Sequence, residues 1–169
     1  MLAACLFASA VVAEEIGDVE FNLPRSQEWK VANELEGKTG ETKSKSLVYI
    51  PKDATIETTK ESFGAVEVDL PSGQVDQESI ENMYKLQFPS LKVSVKILDK
   101  APDSVLYEWS LNDEKAEGIH GWTRLFTGDK QTVLLTYQTE DINKVKDKES
   151  VWTKVLKDAK IKAKGEVKS

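Results

Sequence analysis

The chain has 169 residues, 31 % of them charged and 40 % hydrophobic, with a net charge of −6, one histidine and one cysteine. That length suits one domain able to bury a core without crosslinks. The acidic balance excludes nonspecific nucleic-acid binding, which needs clustered Lys and Arg to neutralise phosphates. A lone Cys5 excludes a disulfide framework and a thiolate metal site.

Residues 1–13 (MLAACLFASAVVA) carry no charge and give way abruptly to Glu14 and Glu15. An apolar run of this length is too short to span a bilayer as a helix and suits the core of a secretory signal, with Ala8, Ala10 and Ala13 offering small residues for cleavage. The reading is an exported protein, periplasmic or secreted, cut after Ala13, with one domain over residues 14–169. No Lys or Arg precedes the apolar run, although a signal normally opens positive; a start codon upstream would account for that. Residues 2–5 (LAAC) match a lipobox in letters, so the alternative is a lipoprotein held at the membrane through Cys5. Against it, the apolar run continues beyond Cys5, whereas a lipidated Cys opens a polar linker. A buried N-terminal helix of a cytosolic protein is the bland reading of the same letters.

Val19, Phe21 and Leu23 alternate with polar residues and predict an opening strand closed by Pro24, and Trp29 and Val31 suggest a second. Residues 36–45 are polar and glycine-bearing, the chemistry of an exposed turn. Residues 46–50 (SLVYI) and 64–70 (GAVEVDL) are β-branched and each is followed by proline. Asp76 then caps a helix, with Val75 and Ile80 in the positions of a hydrophobic staple and Pro89 limiting its end. Alternation at Leu91, Val93, Val95 and Ile97 and at Val105, Tyr107, Trp109 and Leu111 predicts two more strands. Residues 118–127 and 131–138 form a further pair around the turn residues Gly128, Asp129 and Lys130. Val151, Trp152, Val155, Leu156 and Ala159 recur at helical spacing over residues 146–161, with the lysines facing away. Grouped strands with two helices indicate an α+β domain, a mostly antiparallel β-sheet flanked by helices. The basic C-terminal stretch, with Lys154, Lys157, Lys160, Lys162, Lys164 and Lys168, reads as a solvated helix face and tail.

The residues Phe21, Asn22, Leu23 and Pro24 with Trp29, the segment 121–126 (GWTRLF), the strand 133–138 (VLLTYQ), and Val151, Trp152 and Leu156 in the last helix together resemble the PsbP-like fold. That fold is shared by the extrinsic photosystem II subunit, a Ran-binding nuclear import factor and assorted bacterial periplasmic proteins and lipoproteins. The resemblance implies an α/β/α sandwich. It rests on packing signatures, implies no activity because the fold carries unrelated functions, and transfers no partner.

Residues 32–39 (ANELEGKT) satisfy a relaxed phosphate-loop pattern, but no helix follows to aim amides at a phosphate, and Glu34 and Glu36 would repel it. His120 stands alone, without the three or four ligands zinc takes, and no spaced aspartate loop for calcium appears. No G-x-S-x-G elbow accompanies it. No cofactor, metal or catalytic residue is therefore assigned. The aromatics Tyr107, Trp109, Trp122, Phe126 and Tyr137 form either core or the lining of a groove. Trp122 and Phe126 share strand parity with His120 and Arg124, while Ile119, Thr123 and Leu125 take the other face. The leading reading is a non-enzymatic domain binding an unknown protein or envelope component. The runner-up binds a small apolar ligand in a sheet–helix pocket lined by His120, Trp122, Arg124 and Trp109. A hydrolase without recognisable motif ranks last.

Overall fold

The computed structural model describes residues 13–71, 73, 75–112 and 118–162; residues 1–12, with Cys5 and most of the expected signal segment, and Lys164 and Lys168 lie outside them. Two short strands, β1 (Glu14–Ile16) and β2 (Val19–Phe21), open the domain, followed by β3 (Trp29–Thr39), β4 (Thr42–Pro51) and β5 (Glu61–Val68). Helix α1 (Gln77–Gln87) precedes a meander of β6 (Lys92–Ala101), β7 (Ser104–Asn112), β8 (Ile119–Thr127) and β9 (Thr132–Thr139). A short 3-10 turn leads into α2 (Val145–Asp158), and β10 (Lys160–Ile161) ends the described chain. The main sheet is antiparallel throughout, in the order β3-β4-β5-β9-β8-β7-β6, and β1, β2 and β10 form a second, three-stranded sheet. No described helix is long and apolar enough to cross a membrane.

Most predicted elements hold, and α1 starts as its sequence requires: the Asp76 carboxylate accepts from the Ser79 amide at 2.8 Å. Three expectations need correction. The polar stretch 36–45 is not a turn but the far half of a hairpin, paired from Glu36↔Lys45 to Thr39↔Thr42, with Gly40 at φ +64° turning the chain. A hairpin solvated along its length carries no apolar alternation to betray it. The final helix stops at Asp158 rather than running through Ile161; Ala159 turns extended and residues 160–161 pair with β2. Nor do all the lysines face away, since Lys148 turns inward to Glu61 at 2.7 Å.

Two apolar clusters lie on opposite faces of the main sheet. One gathers Phe63, Leu135, Tyr137, Trp122 and Phe126 under Trp152 and Leu156 of α2, together with Ile16, Val19 and Phe21 of the small sheet. The Trp152 ring stacks on Tyr137 at 4.0 Å and on Phe63 at 5.4 Å. The other gathers Val95, Tyr107, Trp109, Leu111 and Leu125 under Ile80 and Tyr84 of α1, with Tyr84 stacked on Trp109 at 5.0 Å. Seven strands spaced about 4.8 Å apart make a sheet roughly 30 Å wide. A single helix covers about 10 Å of that. The small sheet adds cover beside α2, whereas among the described helices and strands α1 alone packs over the β6–β8 end.

Candidate functional site

The sheet register separates the four residues expected to line one pocket. Trp109 pairs with Gly121 and Glu108 pairs with Trp122, so Trp109 points under α1 while His120, Trp122 and Arg124 point toward α2. Trp109 belongs to the α1-side core, and its indole N–H donates to Thr123 Oγ1 at 3.0 Å. Gly121 is required there, because a Cβ would lie 2.5 Å from the Trp109 ring and 2.7 Å from the Tyr137 carbonyl oxygen. Trp122 is fully buried between His120 and Tyr137, at centroid distances of 4.8 and 6.0 Å.

Arg124 serves the fold. Its Nη1 donates to the Leu156 and Lys157 carbonyls at 3.0 and 2.8 Å, and its Nη2 donates to Ser104 Oγ at 3.0 Å. The last carbonyls of a helix lack intrahelical donors, so the guanidinium, 4.8 Å above the Phe126 ring, ties the end of α2 to the sheet.

His120 Nε2 donates to Glu108 Oε1 at 2.9 Å, and the register sets Ser110 directly opposite His120. Serine, histidine and glutamate thus stand side by side, a juxtaposition invisible to sequence spacing. They do not form a nucleophile–base relay: the carboxylate occupies Nε2, and Ser110 Oγ accepts from Asn112 Nδ2 at 3.3 Å. No group of three metal-ligating side chains occurs among the described residues.

The most elaborate polar cluster is one that sequence reasoning did not single out. Glu61, at the start of β5, accepts from Lys148 Nζ at 2.7 Å and Tyr137 Oη at 2.5 Å on one carboxylate oxygen, and from Gln27 Nε2 at 3.2 Å on the other. Burial alone would raise its pKa, but the hydrogen bonds from Lys148, Tyr137 and Gln27, with the lysine charge, together hold it below the usual carboxylate value. Burial and the same carboxylate push Tyr137 far up, so its hydroxyl stays protonated. An ionised carboxylate already engaged by three donors is a strut between α2 and the sheet, not a free base.

Concave surface lies elsewhere than beside His120. A cleft of about 300 Å³ is lined by Val48, Ile50, Ile56 and Ile119 together with Lys60, Glu61 and Glu140. One of about 230 Å³ lies on the other side of Glu61, against Lys60, Lys144 and Lys148. One of about 400 Å³ has an apolar floor of Val19, Phe126, Val133 and Ile161, and one of about 500 Å³ near the β3–β4 hairpin is walled by charged side chains. None of these four touches His120, Trp122, Arg124 or Trp109.

The 300 Å³ cleft opens onto the half of the sheet that α1 leaves bare. Along β5 and β9, Phe63, Ala65, Val133, Leu135 and Tyr137 on the α2 side are sealed, whereas Ser62, Gly64, Val66, Leu134 and Thr136 on the other side are only half-buried. A Cβ added to Gly64 would meet nothing nearer than 3.9 Å.

The architecture agrees with a known solved structure. The solution structure of cyanobacterial PsbP (CyanoP) from Synechocystis sp. PCC 6803 matches with a TM-score of 0.57, over 95 % of this chain and 98 % of that one, at 12 % identity. The fold is PsbP-like. At that identity the likeness extends to the fold alone. No protein-family model matches the chain, and no curated protein matches it in sequence. The PsbP-like core, one sheet between α1 and α2, is the α+β arrangement the sequence predicts.

Proposed function

We propose that this chain is an exported, non-enzymatic domain that binds a protein or another envelope component through the uncovered half of its sheet. One observation carries the reading: the polar side chains of His120, Arg124 and Glu61 are engaged within the fold, while a broad sheet face stands open beside a cleft with Val48, Ile50 and Ile56 in its lining. The PsbP-like fold is compatible with a binding domain of this kind. Export draws support from the fit between leader and fold, since β1 starts at Glu14, the residue that cleavage after Ala13 would expose, and Ile16 already lies in the core. The alternative anchor, an acylated Cys5, would leave eight residues between lipid and β1.

The test is intact mass with compartment fractionation of the native protein, combined with a photo-crosslinking side chain placed in cells at Ser46 on the open face or at Lys154 on the outside of α2. A chain beginning at Glu14, outside the cytoplasm, with adducts from Ser46 and none from Lys154, supports the reading. An uncleaved cytosolic chain, or equal adducts from both positions, overturns it.

A second reading is favoured by the cleft itself: a small apolar ligand held by Val48, Ile50, Ile56 and Ile119 rather than beside His120. Native mass spectrometry of the purified protein distinguishes it, through a retained mass that Val48→Trp abolishes.

A further inference from the structure

The strands of the uncovered half sort their charges in an unusual way. Past the bulge between Val31 and Asn33, the register places Glu34, Glu36, Lys38, Lys43, Lys45, Glu61 and Glu67 on the α2 side. On the open side, from Asn33 on β3 across β4 and β5 to Gln138 on β9, every strand position is uncharged, Leu35, Ser46, Val48, Gly64, Val66 and Thr136 among them; Lys30, opposite Ile50 before the bulge, is the charged strand residue at its edge. In a chain that is 31 % charged, a solvent face would normally carry the charges and the covered face would lack them. Here both faces of the β3–β4 hairpin are solvated, with Glu34, Glu36 and Lys45 exposed on the α2 side, and past the bulge the opposite face carries no charge.

We infer that this face is covered by a second copy of the same chain, packed sheet to sheet about a two-fold axis. The inference rests on the binding surface proposed above and names its partner. Three features fit a copy of the chain. A face with an uncharged centre presents little to attract a charged partner and little to repel its own image, its charges lying at the edge in Lys30, Lys60 and Glu140. The face also carries both halves of a contact. Leu35, 58 % exposed, is its protruding large apolar side chain, and the cleft of about 300 Å³, lined by Lys60, Glu61 and Glu140 as well as by Val48, Ile50 and Ile56, offers apolar side chains to receive it. An isologous interface demands such self-complementarity. The extent is sufficient: four strands of about seven residues span roughly 19 by 23 Å. With side-chain relief, two such faces bury on the order of 1,000–1,200 Å², the lower end of specific interfaces. Small side chains such as Ser46, Gly64 and Val66 allow two sheets to approach to about 10 Å.

The experiment is sedimentation equilibrium of the purified chain from about 1 µM to about 500 µM, at ordinary and at raised salt. The expected result is a monomer–dimer equilibrium with a dissociation constant of order 10 µM, which salt does not weaken. Gly64→Glu and Ser46→Glu each place a carboxylate in the middle of the face, at positions with room for it, and should raise the dissociation constant at least tenfold. Circular dichroism verifies that each variant keeps its fold. Val151→Glu, on the exposed side of α2, should leave it unchanged. A monomer at all concentrations overturns the inference, as does a dimer that persists in both face variants or dissolves with Val151→Glu. A monomeric chain that still gives adducts of foreign mass from Ser46 in cells removes the second copy but keeps the binding face; a chain with neither removes both.

Discussion

Replacing Glu61 by Gln preserves the shape of the side chain and removes the charge on which Lys148, Tyr137 and Gln27 converge. The Glu61 and Lys148 side chains are 17 % and 27 % exposed, so the pair is largely but not fully desolvated. A charge-assisted hydrogen bond contributes about 1.5–3 kcal/mol, and removing one partner of a fully buried pair costs about 3–5 kcal/mol. Discounted for partial exposure and for the hydrogen bonds Gln can still accept, Glu61→Gln should cost about 2 kcal/mol at neutral pH. In a domain of this size that lowers Tm by roughly 4–8 °C. The pH dependence has a definite sign. Because the folded state holds the Glu61 pKa below its ordinary 4.5, the stabilisation is complete above that value and disappears as pH falls through the lower folded value. Thermal melts of both proteins should therefore differ most at neutral pH and converge in acid, as the pH falls through the lowered Glu61 value. A Tm change of less than about 1 °C at pH 7, or a gap that stays constant into acid, would refute the strut.

Gly121→Ala forces a methyl against the Trp109 ring and the Tyr137 carbonyl and should cost about 3 kcal/mol by denaturant unfolding, whereas Gly64→Ala, with open space above it, should be neutral or gain up to about 1 kcal/mol. Arg124→Met should cost about 1.5–3 kcal/mol and speed amide exchange in the last turn of α2 and in β10; Arg124→Lys should recover only part of this, because an ammonium cannot fork to the Leu156, Lys157 and Ser104 oxygens together. Val48→Trp should fill the 300 Å³ cleft with little loss of stability, since Val48 is half-buried at its floor, and melts within about 2 °C of the parent would bear that out.

The α+β class, α1 with its Asp76 cap, and the four-strand meander from β6 to β9 are legible in the letters alone. In those segments one face is buried and the other wet, and burial writes a period into the letters. Legible too, within β8, is the face that Trp122 shares with His120 and Arg124, because alternation along one strand is a local property. The strands β1 and β10, of three and two residues, are too short to show any period, and the distal half of the β3–β4 hairpin is polar on both sides. That Trp109 lies on the opposite face from Trp122 emerges only on folding, since the phase between neighbouring strands is set by register and bulges rather than by composition. The same holds for the Glu61 cluster, whose partners stand 34, 76 and 87 residues away, and for Arg124, whose carbonyl acceptors come 32 and 33 residues later. The bare half of the sheet is likewise a matter of placement. Nothing in the letters of β3, β4, β5 and β9 says that α1 packs over the far end of the sheet and leaves their uncharged face in water.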